Sequence, residues 1–98
     1  MNIVARTTLA VFYKKHADSE IALEEWYKKT KKANWSCFAD VKKDFNSVDS
    51  VGNQHFIFNI KGNDYRLIAV IKFKIKQVYI RHICTHAEYD KIADCSVL

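Results

Sequence analysis

The sequence has no proline, only two glycines and three cysteines, and no long hydrophobic run. With 49% hydrophobic and 13% aromatic residues, it is not a collagen-like, low-complexity or disordered chain. The longest apolar run of the predicted sheet, residues 67–71, is far shorter than the roughly 20 residues of a membrane span. The N-terminus lacks the apolar core of a signal peptide, and three cysteines cannot all pair. We therefore expect a cytoplasmic protein that does not bind a membrane.

The length and the charge of the chain give its size class and a first indication of partners. Ninety-eight residues predict one domain, residues 1–98, with a single core. Sixteen Lys and Arg residues against eleven Asp and Glu give a net charge of +5. Residues 61–82 contain six basic residues and one acidic residue. A basic segment of this kind favours a polyanionic partner such as nucleic acid, although a lysine surplus also serves solubility.

The hydrophobic periodicity changes from helical to strand-like near the middle of the chain. A short strand at residues 1–5 is followed by three helical segments, the second capped by Asp18 or Ser19. After Asn46 the period becomes two residues, which predicts an antiparallel meander of strands at 55–60, 65–71 and 77–84. The first turn, at Gly62–Asn63, fits a type II′ hairpin. The predicted fold class is α+β, with an N-terminal strand and helices packed on one face of an antiparallel sheet.

Strand pairing predicts which side chains share a face. The Gly62–Asn63 turn places Asn59 opposite Arg66, and a second turn at 73–76 places Ile68 opposite Arg81. One face is then apolar and covered by helices, with His82 and Cys84 directed toward it. The other is half apolar and half cationic, which suits RNA or another protein. The polar members of this open face are His55, Asn59, Arg66, Lys72, Tyr79 and Arg81, interleaved with Ile57, Ile68, Val70 and Ile83.

A short C-terminal helix is predicted directly after the last strand. Thr85 and Glu88 form a T-x-x-E capping box, which places His86 at the first helical position and Tyr89 on the same side. The free N–H groups of a helix start attract phosphate, and a nearby histidine suits general acid work. No metal-ligand spacing, nucleophile elbow or phosphate-binding glycine loop is present. An enzyme acting here would use the arginines, His86 and Tyr89.

The segment from His55 to Ile92 resembles the HigB-type toxins of bacterial toxin–antitoxin pairs. The resemblance rests on three motifs: F-N-x-x-G-N-x-x-R-L at 58–67, Y-I-R at 79–81, and T-H-x-E-Y-D at 85–90. It covers the C-terminal forty residues closely and the remainder by length and element order. It implies a RelE-like fold with a short C-terminal helix.

The resemblance also implies an activity and its partners. Such toxins are endoribonucleases that cleave mRNA, typically on the translating ribosome, by attack of the RNA 2′-hydroxyl on the adjacent phosphate. They need no metal and no other cofactor. A HigA-like helix-turn-helix antitoxin neutralises them, and the toxin meets operator DNA only through that complex. The implied catalytic residues are Arg66, Arg81, His86 and Tyr89, and the RNA-binding residues are Asn59, Lys61, Asn63, Lys72 and Tyr79.

Two other functions fit the same residues. A non-catalytic RNA- or ribosome-binding module would use the cationic face without His86 chemistry. A protein-interaction domain would bind an acidic partner through Arg66 and Arg81 and would never bind RNA.

Overall fold

A computed structural model describes all residues from 1 to 98. Four helices and five strands follow one another, with short 3₁₀ turns at residues 17–19, 73–75 and 95–97. The elements are β1 (Asn2–Val4), α1 (Thr7–Lys15), α2 (Glu20–Lys32), α3 (Phe38–Asp44), β2 (Asp49–Gly52), β3 (His55–Ile60), β4 (Tyr65–Lys72), β5 (Gln77–Thr85) and α4 (His86–Tyr89). The predicted α+β class is confirmed, and the predicted elements follow one another in the predicted order with one additional strand, β2. No helix combines the length and the apolar character needed to cross a membrane.

The sheet has five strands in the order β1-β5-β4-β3-β2. The predicted antiparallel meander forms its centre, and β1 adds to the edge parallel to β5. The fifth strand, β2, pairs antiparallel with β3 and was not predicted. Its four residues, D-S-V-G, are too few and too polar to show a two-residue period.

The first hairpin has the predicted register. Asn59 pairs with Arg66, and the turn is closed by a 3.2 Å hydrogen bond from the Asp64 N–H to the Lys61 carbonyl. Gly62 has the positive φ, +63°, that its turn position requires, and Lys61 also has a positive φ, +52°. The second turn covers Phe73–Ile75 and leads into β5 at Gln77, as predicted.

The predicted register of β5 is wrong beyond Ile80, because a β-bulge interrupts the pairing. Ala69 pairs with Ile80, but the preceding residue, Ile68, pairs with His82, so that Arg81 has no partner. The extra residue reverses the faces of the remaining strand. Ile83, which was expected on the open face, therefore belongs to the core, and Cys84 is opposite Arg66 rather than on the core side.

The helices cover one face of the sheet, as predicted. The core joins Leu9, Leu23 and Trp26 to the strands, and the Trp26 ring meets Phe58 edge-on at 5.5 Å. Neither predicted cap of α2 forms. The Ser19 hydroxyl donates to the His16 carbonyl at 2.6 Å instead, which closes the 3₁₀ turn before the helix. Asp18 accepts hydrogen bonds from Tyr65 and Lys61 and so ties this turn to the β3–β4 hairpin.

The opposite face is not fully open. Ile57 and Ile68 are at most 2% exposed, yet they lie outside the main core cluster. The main-chain oxygen of Leu98 accepts hydrogen bonds from His55 on β3 and Arg81 on β5. Because β4 lies between these two strands, the C-terminal segment crosses above β4. We call residues 92–98 the C-terminal cover. The sequence-based expectation of an uncovered face is wrong for its central part.

Candidate active site

Arg66 is a buried cation without a carboxylate partner. Only 8% of the residue is exposed, and it forms no ion pair with any Asp or Glu. Its Nη1 donates to the carbonyl oxygens of Asn63 at 3.0 Å and Tyr65 at 3.2 Å, and Nη2 donates to Asn63 Oδ1 at 3.4 Å. Neutral acceptors orient the guanidinium but leave its charge uncompensated. Because burying an unpaired charge is costly, this arrangement favours binding of an anion.

Tyr89 lies against the Arg66 guanidinium. The guanidinium carbon is 5.4 Å from the centre of the ring, within the range of a cation–π contact. Tyr89 is half-buried, and this burial raises the pKa of its hydroxyl, so the group stays protonated at neutral pH. The structure thus brings together two of the predicted catalytic residues.

Helix α4 begins with the predicted capping box. The Thr85 hydroxyl accepts from the Glu88 N–H at 3.2 Å, and the Glu88 carboxylate accepts from the Thr85 N–H at 2.9 Å. These hydrogen bonds lower the pKa of Glu88. The N–H of His86 donates to the Asp64 carbonyl at 3.0 Å. The prediction that the start of this helix offers free N–H groups to a phosphate is therefore wrong. The N–H groups of Thr85, His86 and Glu88 already have acceptors.

His86 is held by a carboxylate that sequence reasoning did not single out. Its Nδ1 lies 3.1 Å from Asp90 Oδ2, one helical turn away, and both side chains are about half exposed or more. A hydrogen bond at Nδ1 leaves Nε2 directed away from the pair and free to exchange a proton. The i,i+4 spacing of His86 and Asp90 was the available signal.

Arg81 lies at the bulge and is exposed. No hydrogen bond links the side chain of Arg66 to that of Arg81. Its Nε donates to the Leu98 main-chain oxygen at 3.0 Å, and the same oxygen lies 2.9 Å from His55 Nε2. Asn53 Nδ2 adds a 3.0 Å hydrogen bond to the Ser96 carbonyl. The remaining guanidinium N–H groups of Arg81 form no hydrogen bond within the protein and can form a fork toward a phosphate.

Cys84 lies opposite Arg66 on the face away from the helices, whereas the sequence predicted that it points to the core. It is 1% exposed, and burial raises the pKa of its thiol to about 11. The group is a neutral thiol at physiological pH and acts as a small apolar side chain, as the sequence indicated. His82 pairs with Ile68 and is exposed on the same face. No group of three or more His, Cys, Asp or Glu side chains is arranged to hold a metal ion.

The five predicted RNA-binding residues lie at two ends of this face. Asn59 and Asn63 are at the Arg66 end, and Asn63 orients the guanidinium directly. Lys61 is also there, but it pairs with Asp18 at 2.8 Å and Asp64 at 3.6 Å. At the far end, Lys72 donates to Gln54 Oε1 and the Tyr79 hydroxyl donates to Gln77 Oε1.

A small α+β domain with a five-stranded mixed sheet and a cationic site at its C-terminal helix is compatible with the RelE-like class of toxins. The family model for HigB toxins, described as the RelE-like toxic component of a toxin–antitoxin system, matches residues 19–92. The chain belongs to this family.

Two curated relatives agree with this assignment. The mRNA interferase HigB of Escherichia coli O6:H1 is 29% identical over 94 residues, which cover 94% of this chain and 91% of that protein. The mRNA interferase toxin HigB of Escherichia coli K12 is 38% identical over 52 residues, about half of each chain. The resemblance noted in the sequence is thus confirmed at the level of the family.

Proposed function

We propose that this protein is the toxin of a type II toxin–antitoxin pair and an endoribonuclease that cleaves mRNA without a metal ion or other cofactor. The observation that carries the proposal is the buried guanidinium of Arg66, which has no carboxylate partner and lies against Tyr89. The two relatives compared above are both called mRNA interferases, which supports the same reaction class.

In the proposed reaction the 2′-hydroxyl of one nucleotide attacks the adjacent phosphorus. The new bond joins O2′ to phosphorus, and the bond from phosphorus to O5′ breaks. The proton lost from the 2′-hydroxyl goes to a base, and a proton is delivered to O5′. The products are a 2′,3′-cyclic phosphate and a free 5′-hydroxyl, so no water or oxidant enters the step.

Arg66 and Arg81 would stabilise the additional negative charge that develops on the phosphate oxygens. Arg66 supplies a buried donor at one end of the face, and Arg81 supplies an exposed one near its middle. In β5, Arg81 is three residues from Cys84, the partner of Arg66, which corresponds to roughly 10 Å along the strand. Both side chains are long enough to approach one phosphate.

His86 is the proposed general acid or base, since Asp90 leaves its Nε2 free and it lies in the same short helix as Tyr89. Tyr89 would hold the guanidinium and present its ring to the RNA. Asn59, Asn63, Lys72 and Tyr79 would bind the chain on either side of the scissile bond. Lys61 would contribute at the edge only, because two carboxylates already neutralise its charge.

We also propose that the ribosome positions the mRNA, and that His82, which the bulge brings to the same exposed face as Arg66, is a second candidate base. Positioning alone can contribute about 7–11 kcal/mol to catalysis. The proposed partners are therefore mRNA, the ribosome and a HigA-like helix-turn-helix antitoxin, with operator DNA bound only through the antitoxin complex. This substrate and these partners place the protein in the cytoplasm.

The test is induced expression in a bacterium with transcriptome-wide mapping of RNA 5′-ends. We expect growth arrest and new 5′-hydroxyl ends inside translated frames with the wild type, and a loss of at least about a hundredfold in cleavage with His86→Ala or Arg66→Lys. Lys43→Ala, which removes an exposed lysine of α3, is the matched control. Arrest without new ends would indicate a non-catalytic RNA- or ribosome-binding module instead.

A further inference from the structure

A cavity lies at the opposite end of the sheet from Arg66. It has a volume of about 460 Å³ and is formed where the β4–β5 turn meets the loop before α3 and the β2–β3 turn. None of the residues assigned to chemistry above lines it except Lys72, which is the last residue of β4. Its lining residues are Ser36, Gln54, Lys72, Phe73, Lys74 and Ile75.

The cavity is cationic and contains no carboxylate. Lys72 is oriented by Gln54 Oε1, and Lys74 is exposed and forms neither a hydrogen bond nor an ion pair. In the sequence, residues 65–87 contain five Lys and Arg residues and no Asp or Glu. Two lysines therefore line the cavity, while Asp40, which accepts from the Ser36 N–H at 2.9 Å, is a carboxylate bonded to a lining residue without lining the cavity itself.

The same cavity offers an apolar surface and hydrogen-bonding groups of the kind that bind a nucleobase. Phe73 is partly exposed and its ring is anchored edge-on against Phe56 at 5.8 Å. Ile75, at its rim, is 59% exposed. Gln54 has a free amide NH₂ once its oxygen accepts from Lys72, and the hydroxyl of Ser36 can still donate.

The cavity is preformed. The Phe73–Ile75 turn closes through a 3.2 Å hydrogen bond from the Lys76 N–H to the Phe73 carbonyl, with Lys76 in the left-handed conformation at φ +56°. Lys76 Nζ then donates to the Trp35 carbonyl at 2.8 Å and to Ser36 Oγ at 3.0 Å. These bonds fix the turn to the loop before α3 and hold Lys74 and Ile75 outward, so little ordering is needed on binding.

Lys72 connects this cavity to the face described above. It lies six residues from Arg66 along β4, or roughly 20 Å, with Tyr79 and Arg81 on the neighbouring strand between them. An extended RNA chain with one phosphate at Arg66 would therefore reach the cavity with a nucleotide several positions away.

We propose that this cavity is a subsite for one nucleotide of the single-stranded RNA substrate, remote from the cleaved bond. Lys72 and Lys74 bind its phosphate, and the base lies against Phe73 and Ile75 within reach of Gln54 and Ser36. The inference rests on the proposed ribonuclease function and adds to it a place where the identity of a distant base is sensed.

The test measures equilibrium binding of fluorescein-labelled 2′-O-methyl oligoribonucleotides of increasing length, which lack the attacking hydroxyl, to the whole protein. Lys74→Gln removes one charge, and its control is Lys43→Gln, an exposed lysine away from the cavity. Phe73→Leu keeps an apolar side chain but removes the ring. Circular dichroism checks that each variant is folded.

We expect dinucleotides to bind all four proteins alike. For oligonucleotides long enough to span both sites, Lys74→Gln should lower the slope of log affinity against log salt by about 1. Phe73→Leu should weaken binding of the same oligonucleotides by about tenfold. Lys43→Gln should leave both quantities unchanged.

Several results would overturn the subsite. The proposal fails if Lys74→Gln and Phe73→Leu bind long oligonucleotides as tightly as the wild type does. It also fails if the loss of affinity is equal at every length, or if Lys43→Gln shows the same loss. Micromolar binding of a free mononucleotide would show a small-molecule site instead. If Arg66→Lys still weakens every oligonucleotide, only this inference fails. If the wild type binds none of them, this inference fails, and the mapping of RNA 5′-ends decides the proposed function separately.

Discussion

The guanidinium of Arg66 is held between the main chain of its own hairpin and the ring of Tyr89, 5.4 Å from the ring centre. One partner comes from the β3–β4 turn and the other from the C-terminal helix. The two elements are joined a second time by the hydrogen bond from the His86 N–H to the Asp64 carbonyl. The position of the cation therefore depends on α4 being folded.

The ring of Tyr89, rather than its hydroxyl, should matter for RNA affinity. Tyr89→Ala removes the cation–π contact and should weaken RNA binding by about tenfold. Tyr89→Phe keeps the ring and should bind like the wild type. Titration of a non-cleavable oligonucleotide measures both. Equal losses in the two variants would show that the hydroxyl makes the essential contact.

Asp90 should act through His86. Free neutral imidazole favours a proton on Nε2, whereas an acceptor at Nδ1 favours the other tautomer. We expect NMR of the imidazole nitrogens to show the Nδ1–H form of His86 in the wild type and the Nε2–H form in Asp90→Ala. Cleavage should fall by about tenfold in Asp90→Ala, as for loss of an orienting partner. Asp90→Asn retains an acceptor oxygen and should recover part of the rate. If Asp90→Asn recovered the rate while His86 stayed in the Nε2–H form, the orienting role would be contradicted.

The capping box should make stability depend on acidic pH. The pKa of Glu88 is lowered in the folded state, so its contribution is present above its ordinary value, 4.5, and is lost as the pH falls through the folded pKa. Between about pH 6 and pH 3 the wild type should therefore lose more unfolding free energy than Glu88→Gln. Urea unfolding at the two pH values gives the difference. Parallel losses would show that Glu88 is not coupled to folding.

Lys61 should matter more for stability than for RNA binding. It bridges Asp18 and Asp64, and Asp18 also accepts from the Tyr65 hydroxyl at 2.5 Å. Lys61→Ala should lower the thermal unfolding midpoint and leave oligonucleotide affinity within about twofold of wild type. Lys72→Ala should instead lower oligonucleotide affinity and leave the thermal unfolding midpoint unchanged, because Lys72 has no carboxylate partner. A loss of affinity in Lys61→Ala without a loss of stability would restore it as an RNA contact.

Local signals predicted the central fold well. The Gly62–Asn63 turn set the register of Asn59 and Arg66, and the T-x-x-E pattern set the start of α4. Both depend on residues within a few positions of one another, where side-chain chemistry determines the backbone directly.

Features that depend on distant contacts were missed. The C-terminal cover has no periodicity, and its hydrogen bonds to His55 and Arg81 use main-chain oxygen that any residue provides. The bulge, by contrast, left a readable signal. Ile80 and Ile83 are both buried and three residues apart, with Arg81 and His82 between them, which an uninterrupted two-residue alternation does not allow.

The bulge also determines how this strand can change during evolution. If Arg81 paired with Ile68 in place of His82, Ile83 would leave the core and Cys84 would turn into it, away from Arg66. Deletion of Arg81 would instead keep Ile80 opposite Ala69 and His82 opposite Ile68, and both faces would stay as they are. Among descendants of this chain, a deletion within β5 is accordingly expected at the bulge and not elsewhere in the strand.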